Sequence, residues 1–325
     1  VFEAASIRKA IDQVERVAAT PLTVLFAGET GTGKEVFARL LHRSSPRRNG
    51  PFVPFNCASI PHDMLDAQLF GHTRGSFTGA VADSIGVIRA AAGGTLFLDE
   101  VGELPPLAQP KLLRFLEHGE IHPIGATQPI TVDVRVVAAT NSDLVAMVRD
   151  KTFREDLYFR LNGITITVPP LRERRDDIPS LVRLYLGRAA GAMGRPTPVV
   201  SAAAMELLLL HPWPGNVRQL VVEMRRLVAL LPPGREITAD ALAEVIGTLP
   251  GAPPAPRPLE PAADTGPPPA TASPAATLAD AVDDLERRMI HDALREAGGN
   301  VATTAARLGI SRKGLFLKRR RLGID

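Results

Sequence analysis

The sequence predicts an α/β fold: a mainly parallel sheet covered on both faces, then a small helical domain, then a separate helical piece at the C-terminus. Three observations predict it. Five short apolar, β-rich runs alternate with helical patterns; the β signal stops after "PPLRERRDDIP"; and a proline-rich stretch sets the last helices apart. Near-continuous apolar runs, rather than alternating ones, are the pattern of strands buried on both faces.

The five runs are "LTVLFAG", "PFVPFNC", "TLFLDE", "VDVRVVAAT" and "ITITVPP". Pro54 lies inside the second. A proline cannot donate to a central ladder, so that strand belongs toward an edge. From about Asp176 to Ile246 the pattern is helical: "IPSLVRLYLGRAAGAM", "SAAAMELLLL", "GNVRQLVVEMRRLVALL" and "TADALAEVI". Thr238 is placed to cap the last of these. Pro250 to Ala276 holds ten of the chain's 29 prolines. Such a stretch cannot bury enough surface to offset its ordering entropy and reads as a semi-extended linker. Beyond it, "LADAVDDLERRMIHDALREAGGN" is amphipathic at helical spacing through Leu278, Val282, Leu285, Met289 and Ile290. Two shorter helical segments follow, and no fixed-period repeat is present.

Composition narrows the function. The 325 residues are 45% hydrophobic and only 5% aromatic, so the core is mostly aliphatic. No apolar run approaches the ~18 residues of a membrane span, and no basic-then-apolar signal opens the chain. The one cysteine, Cys57, excludes an internal disulfide and suits a reducing cytoplasm. Cys57 and the seven histidines show no zinc-ligand spacing, so no structural metal is expected. The net charge of +3 is uneven: from Gly298 to the end there are seven Arg or Lys residues and one acid, Asp325. A basic end fits nucleic acid or a solvated helix face. Val1 falls in a helical pattern with no initiator Met, so the sequence reads as a piece of a longer protein.

"LTVLFAGETGTGKE" is a strand, a glycine loop and a helix start. Gly28, Gly33 and Lys34 fit G-x-x-x-x-G-K, and the loop residues between them are Glu29, Thr30, Gly31 and Thr32. The glycines let backbone N–H groups curl around phosphate oxygens at a positive helix end, and Lys34 reaches the β- and γ-phosphates. Glu35 stands where a Ser or Thr usually holds Mg²⁺. Either the metal is held differently or the match is spurious, and the next motif favours the first. "GGTLFLDEVGELP" puts Asp99 and Glu100 at the C-terminal end of a buried strand, where open α/β sheets bind ligands. Adjacent strand residues point to opposite sides, so the two acids can divide the work: Asp99 for Mg²⁺, Glu100 to orient the attacking water. Loop and acids together predict nucleotide hydrolysis.

Further candidates surround this pair. "VDVRVVAATNSDL" ends at Thr140 and Asn141, which either sense the γ-phosphate or close the strand with an Asx turn. "FREDLYFRLN" carries Arg154 and Arg160. On a helix they share no stripe; they either pair internally or reach a neighbouring subunit's nucleotide. "HPWPGNVRQL" starts a helix with Asn216 near its N-terminus and Arg218 in the first turn, above the phosphates.

The ordered motifs "GETGTGKE", "FNCASI", "LFGHTRGSFTGA", "GGTLFLDEVGELP", "VRVVAATNSDL", "FREDLYFRLN", "PPLRERRDDI" and "WPGNVRQL" resemble those of bacterial enhancer-binding proteins, the AAA+ activators of sigma-54 RNA polymerase. Glu after the phosphate-loop Lys is usual there, which accounts for Glu35. The resemblance implies an ATP- and Mg²⁺-dependent ATPase assembling as a hexamer or heptamer ring, dimeric when inactive, in the cytoplasm. It implies that Arg154 and Arg160 act in trans, that Arg218 is the lid sensor and Thr140 with Asn141 the strand-end sensor, and that Asn56 holds Glu100 in a nucleotide-dependent switch. Gly75, Ser76, Phe77, Thr78, Gly79 and Ala80 match the family's sigma-54-contacting loop, with Ser76 in place of Ala. A β-hairpin over about 117–132 is expected to support that loop.

The tail "GGNVATTAARLGISRKGLFLKRRRLGI" reads as a helix-turn-helix with helices over 302–308 and 312–322 and a core of Ala305, Leu308, Ile310, Leu315 and Leu322. It resembles the Fis-type domain, which implies double-stranded DNA at an enhancer-like site. Arg312, Lys313 and neighbours such as Phe316 then face bases or phosphates, while Lys318 to Arg321, with Arg319 and Arg320 between them, mainly meet phosphates. Gly314 stands where the family often has Thr, a change costing about 1 kcal/mol relative to Ala in a helix. The amphipathic helix over 280–297 is expected to pair with its twin in a dimer, the alternative being packing within its own chain. The expected division is an ATPase domain over 1–170, a lid over 171–248, a linker over 249–277 and the DNA-binding domain over 278–325. Two other readings share some of these motifs: a helicase loader or unfoldase with a DNA-binding tail, and a nucleotide-gated repressor.

Overall fold

The computed structural model describes residues 4–76, 80–246, 286–287, 290, 292–295, 300–308, 310 and 312–322. The expected linker, and Phe77, Thr78 and Gly79, lie outside the described residues. The chain divides into two compact units, residues 1–256 and 257–325.

In the first unit the order is α1 (Ala5–Ala18), β1 (Val24–Ala27), α2 (Lys34–Arg43), β2 (Phe52–Asn56), α3 (His62–Phe70), α4 (Gly86–Ala90), β3 (Thr95–Asp99), α5 (Gln109–His118), β4 (Glu120–Ile121), β5 (Ile130–Thr131), β6 (Arg135–Thr140), α6 (Leu144–Arg149), α7 (Glu155–Leu161) and β7 (Ile164–Thr167). The helical part continues with α8 (Ile178–Ala192), α9 (Ala202–Leu210), α10 (Asn216–Leu230) and α11 (Ala239–Ile246). Ser201 caps α9 by accepting the Ala204 N–H, and Thr238 accepts the Ala241 N–H at the start of α11.

Each of the five apolar runs forms a strand. They pair in the order β2-β3-β6-β1-β7, and every neighbouring pair is parallel. Pro54 accordingly sits on the edge strand β2. Period-2 alternation feeds two cores. Leu25, Leu96, Leu98, Val136 and Ala138 face α3, α5 and α7, whereas Val24, Phe26, Phe97, Val137 and Ala139 face α1 and α2. A third core lies among α8 to α11 around Trp213, which is fully buried and donates Nε1–H to Leu208 O.

The expected hairpin is present: β4 pairs antiparallel with β5. Its loop touches the base of the 71–84 segment, where Thr73 N donates to Ile124 O and Ile124 N to Gly71 O, each at 2.9 Å. That segment is closed by Gly75 N donating to Ala80 O at 2.8 Å. Ser76 is wedged against Gly125, where an added Cβ would meet Ser76 Cβ at 2.7 Å; the Ser76 hydroxyl is buried without a hydrogen-bond partner.

In the second unit, helices Val301–Arg307 and Arg312–Leu322 pack through Ala305, Leu315 and Leu322, with Leu308 and Ile310 alongside. Ile290 and Leu294 join this core, so part of the apolar face expected to meet a twin is covered within the chain.

His42 on α2 supplies a pH dependence. Its ring is buried against Phe52, with Nδ1 3.0 Å from Thr95 Oγ1. Burial first, and then the Arg43 charge, hold its pKa below the usual histidine value. The unfolded chain therefore gains a proton before the folded one as pH falls below about 6.5, at up to about 1.4 kcal/mol per pH unit. We expect the melting temperature to fall between pH 7.5 and 5.5, and less steeply in His42→Gln; equal slopes would contradict the assignment.

Candidate functional site

The C-terminal ends of β1, β3 and β6 deliver the candidate residues to one edge of the sheet. The loop after β1 is fixed there by Gly28 N donating to Thr140 O at 3.2 Å. A Cβ on Gly28 would lie 2.6 Å from Val168 O, so only glycine lets the loop approach β7 this closely. Among the described residues the N–H groups of Gly31, Gly33, Lys34 and Glu35 donate to no protein acceptor. Consecutive free donors at a helix N-terminus form an anion cradle. Lys34, 6% exposed, donates to Gly28 O at 2.9 Å and lies 3.4 Å from Glu100 Oε1.

Asp99 ends β3, and Glu100 follows with φ +52°, a left-handed conformation that turns its carboxylate toward the loop. Glu100 Oε2 accepts the Asn141 N–H at 2.9 Å, and Asn141 Nδ2 donates to Thr30 Oγ1 at 2.8 Å. The polar end of β6 thus ties the acid to the phosphate loop. Thr140 is buried, and its hydroxyl accepts the Ser142 N–H as it closes the strand.

Burial, and then the Glu100 charge, push the Asp99 carboxyl above its usual range, with Lys34 opposing. Burial likewise raises the Cys57 thiol to about 12, making it inert. Two adjacent carboxylates opposed by one ammonium suit a divalent cation. Among the described residues no three His, Cys, Asp or Glu groups converge on a metal site. Glu35 turns away, with its Oε1 2.7 Å from Arg39 Nη2. The donors present fit a divalent cation only if phosphate oxygens were to complete the set that Asp99 begins.

Within one chain the remaining candidates have the following partners. Asn56 Nδ2 approaches Asp99 Oδ2 at 3.5 Å rather than Glu100, because β2 and β3 pair in register at these two residues. Glu100 is held by Lys34 and Asn141 instead. Arg154 is paired with Asp156 at 2.7 Å, and Arg160 donates to Leu116 O at 2.9 and 3.1 Å, so within one chain both are satisfied away from the phosphate loop.

The lid meets the loop directly. Val217 N and Arg218 N donate to Gly31 O at 3.0 and 3.3 Å, and Arg218 begins the exposed side of α10. Three further side chains, given no role by the motif reading, complete this junction. Arg172 binds Glu29, Arg174 Nη2 donates to Thr32 O at 2.6 Å, and buried Asn216 contacts Glu29 and Thr30 O. For the two arginines the signal in the sequence was the charged run "LRERRDD" between sheet and lid, which has no apolar period.

In the second unit, Arg312, Phe316 and Arg320 are exposed, Phe316 by 62%. Lys318, expected on phosphate, is instead bonded to Glu286 at 2.5 Å, and Arg321 reaches the same carboxylate at 2.7 Å. Arg319 is partly buried, and the side chain of Lys313 lies outside the described residues.

Strand order, phosphate loop and helical lid define an AAA+ P-loop NTPase fold. The "Sigma-54 interaction domain" pattern matches residues 1–167, the "AAA+ ATPase lid domain" residues 172–254, and "Bacterial regulatory protein, Fis family" residues 281–322. The chain belongs to the sigma-54-dependent transcriptional activators. It is 43% identical over 320 residues to the Nif-specific regulatory protein of Azotobacter vinelandii, covering 98% of this chain and 58% of that protein. It is 41% identical over 323 residues to the response regulator PilR of Pseudomonas aeruginosa, covering 99% and 69%. The crystal structure of NtrX from Brucella abortus in complex with ATP matches with a TM-score of 0.70 at 34% identity, covering 99% of this chain and 69% of that one. The chain thus spans 58% to 69% of the length of these relatives.

Gly31 gives a direct test of the lid junction. At φ +80° an added Cβ would be 2.4 Å from Gly215 O, whereas at Gly194, φ +62°, it would meet open space. Left-handed backbone alone costs about 1–2 kcal/mol for a non-glycine residue. Gly31→Ala should therefore lower the urea midpoint clearly more than Gly194→Ala does. Equal losses would mean that the lid does not bear on the loop.

Proposed function

We propose that the chain is an ATP-driven transcription activator, binding double-stranded DNA through 278–325 and remodelling sigma-54 RNA polymerase with residues 75–80. The single observation that carries the ATPase part is the position of Glu100, bonded to Lys34 and to the Asn141 N–H beside four free loop donors. In this reading the phosphates occupy the N–H groups of Gly31, Gly33, Lys34 and Glu35 and draw Lys34 off Glu100. Glu100 then orients a water and accepts its proton, as the new bond to the γ-phosphorus forms and the bond to the β–γ bridging oxygen breaks. Asp99 would hold Mg²⁺, which supplies charge neutralisation when bound. Thr140 and Asn141 report the γ-phosphate, since Asn141 touches both Glu100 and the loop.

Ring assembly, as hexamer or heptamer from an inactive dimer, completes the site. Arg154 and Arg160 exchange their internal partners for a neighbour's phosphates, and Arg218 closes from the lid. Asn56 moves between Asp99 and Glu100 as the nucleotide changes. The 71–84 segment, braced on the β4–β5 hairpin, transmits that change to Phe77 and Thr78. The division into ATPase domain, lid, linker and DNA-binding domain follows the boundaries given above, with Arg312, Lys313, Phe316 and Arg320 toward DNA. Lys318 contributes once Glu286 releases it.

The test is open-complex formation at a sigma-54-dependent promoter with sigma-54 polymerase, ATP and this chain. The parent should activate. Phe77→Ala should keep ATP turnover and lose activation, and activation by Phe77→Ala would overturn the loop assignment.

A further inference from the structure

One charge in the phosphate loop opposes what the loop is built to hold. Glu29 is an acid in a segment whose N–H groups await an anion. It does not sit free. Arg172 grips it with two bonds, Nη2 to Oε1 at 2.6 Å and Nη1 to Oε2 at 2.9 Å. Asn216 Nδ2 donates to the same Oε2 and to Thr30 O, each at 3.1 Å, while Asn216 Oδ1 accepts the Leu171 N–H at 2.7 Å. Asn216 is fully buried and held at φ +52° as the first residue of α10, so it has little freedom to choose other partners. Arg172 first, and then Asn216, hold the Glu29 carboxyl down at about 2, so it is ionised throughout the neutral range.

A lone exposed ion pair contributes little. This one is bidentate and shares its acceptor with a buried amide, which adds geometric specificity. It also joins the two parts that must close on a nucleotide: Glu29 belongs to the loop, and Arg172 and Asn216 to the lid and its entry.

We propose that Glu29 is a positioning residue for the nucleotide: clasped by Arg172 and Asn216 its carboxylate is kept out of competition for the phosphate cradle, and unclasped its charge competes with the incoming phosphates. The proposal rests on the ATPase reading. It makes Arg172 a neutralising partner rather than a phosphate ligand. Clasping acts on ground and transition states alike, so it governs nucleotide affinity and KM more than kcat.

The test uses the full chain with a fluorescent ADP analogue and steady-state ATP hydrolysis. Arg172→Gln leaves Glu29 charged and without its cationic partner, and should raise the ADP Kd and the ATP KM about tenfold, a coupling of ordinary size, with kcat within about twofold of the parent. Glu29→Gln combined with Arg172→Gln removes the stranded charge and should recover most of that loss. Arg172→Gln binding ADP as the parent does would overturn the proposal. So would a double variant as weak as Arg172→Gln, which would make Arg172 a direct phosphate ligand. A fall in kcat at unchanged KM would overturn it as well. Failure of the parent itself to bind ADP would reject the ATPase reading, and the clasp with it.

Discussion

Two N–H groups at the start of α10, from Val217 and Arg218, converge on the single carbonyl of Gly31. The phosphate loop is thereby fixed from both sides. On the sheet side Gly28 N bonds Thr140 O and Asn141 bonds Thr30, and on the lid side Gly31 O closes the first turn of a helix. With the loop held at both flanks by its carbonyls and side chains, the N–H groups of Gly31, Gly33, Lys34 and Glu35 are left without a protein acceptor. The cradle is thus a consequence of how the backbone acceptors are used up, and it needs no basic side chain beyond Lys34.

The strand order then decides which side chains surround the cradle. β1 lies between β6 and β7, and β6 lies between β1 and β3. The acids that end β3 and the polar turn that ends β6 therefore open on the same edge as the loop. Lys34 bridges this arrangement by contacting Gly28 O and Glu100. Burial first, and then the Glu100 charge that Lys34 opposes, raise the Asp99 carboxyl, and two acids facing one ammonium leave a net negative charge. A divalent cation brought with the phosphates would remove that imbalance.

Much of this was legible in the sequence because it depends on local pattern. Strands buried on both faces read as continuous apolar runs, Pro54 marked the edge strand, and the glycine spacing marked the loop. The small core of the tail was also visible as a pattern, while the hairpin was expected only from the family resemblance. What was hidden depends on pairing between distant residues. Asn56 meets Asp99 because β2 and β3 share a register that no local motif encodes. Lys318 meets Glu286 because the fold brings that carboxylate to it, whereas Arg154 takes the neighbouring Asp156, one of the two outcomes the motif left open. Asn216 could be placed at a helix start, but its contacts with Glu29 and Thr30 span the lid and the loop.

The most direct measurement is phosphate release from ATP and Mg²⁺ by the full chain, with ADP binding followed in the same preparations of parent and Glu100→Gln. The account predicts turnover by the parent. In Glu100→Gln it predicts retained nucleotide binding and a loss of kcat of at least about a hundredfold, the scale of a missing general base. Turnover by Glu100→Gln at the parent rate would contradict it, because the geometry of this edge would then not be the geometry of the reaction.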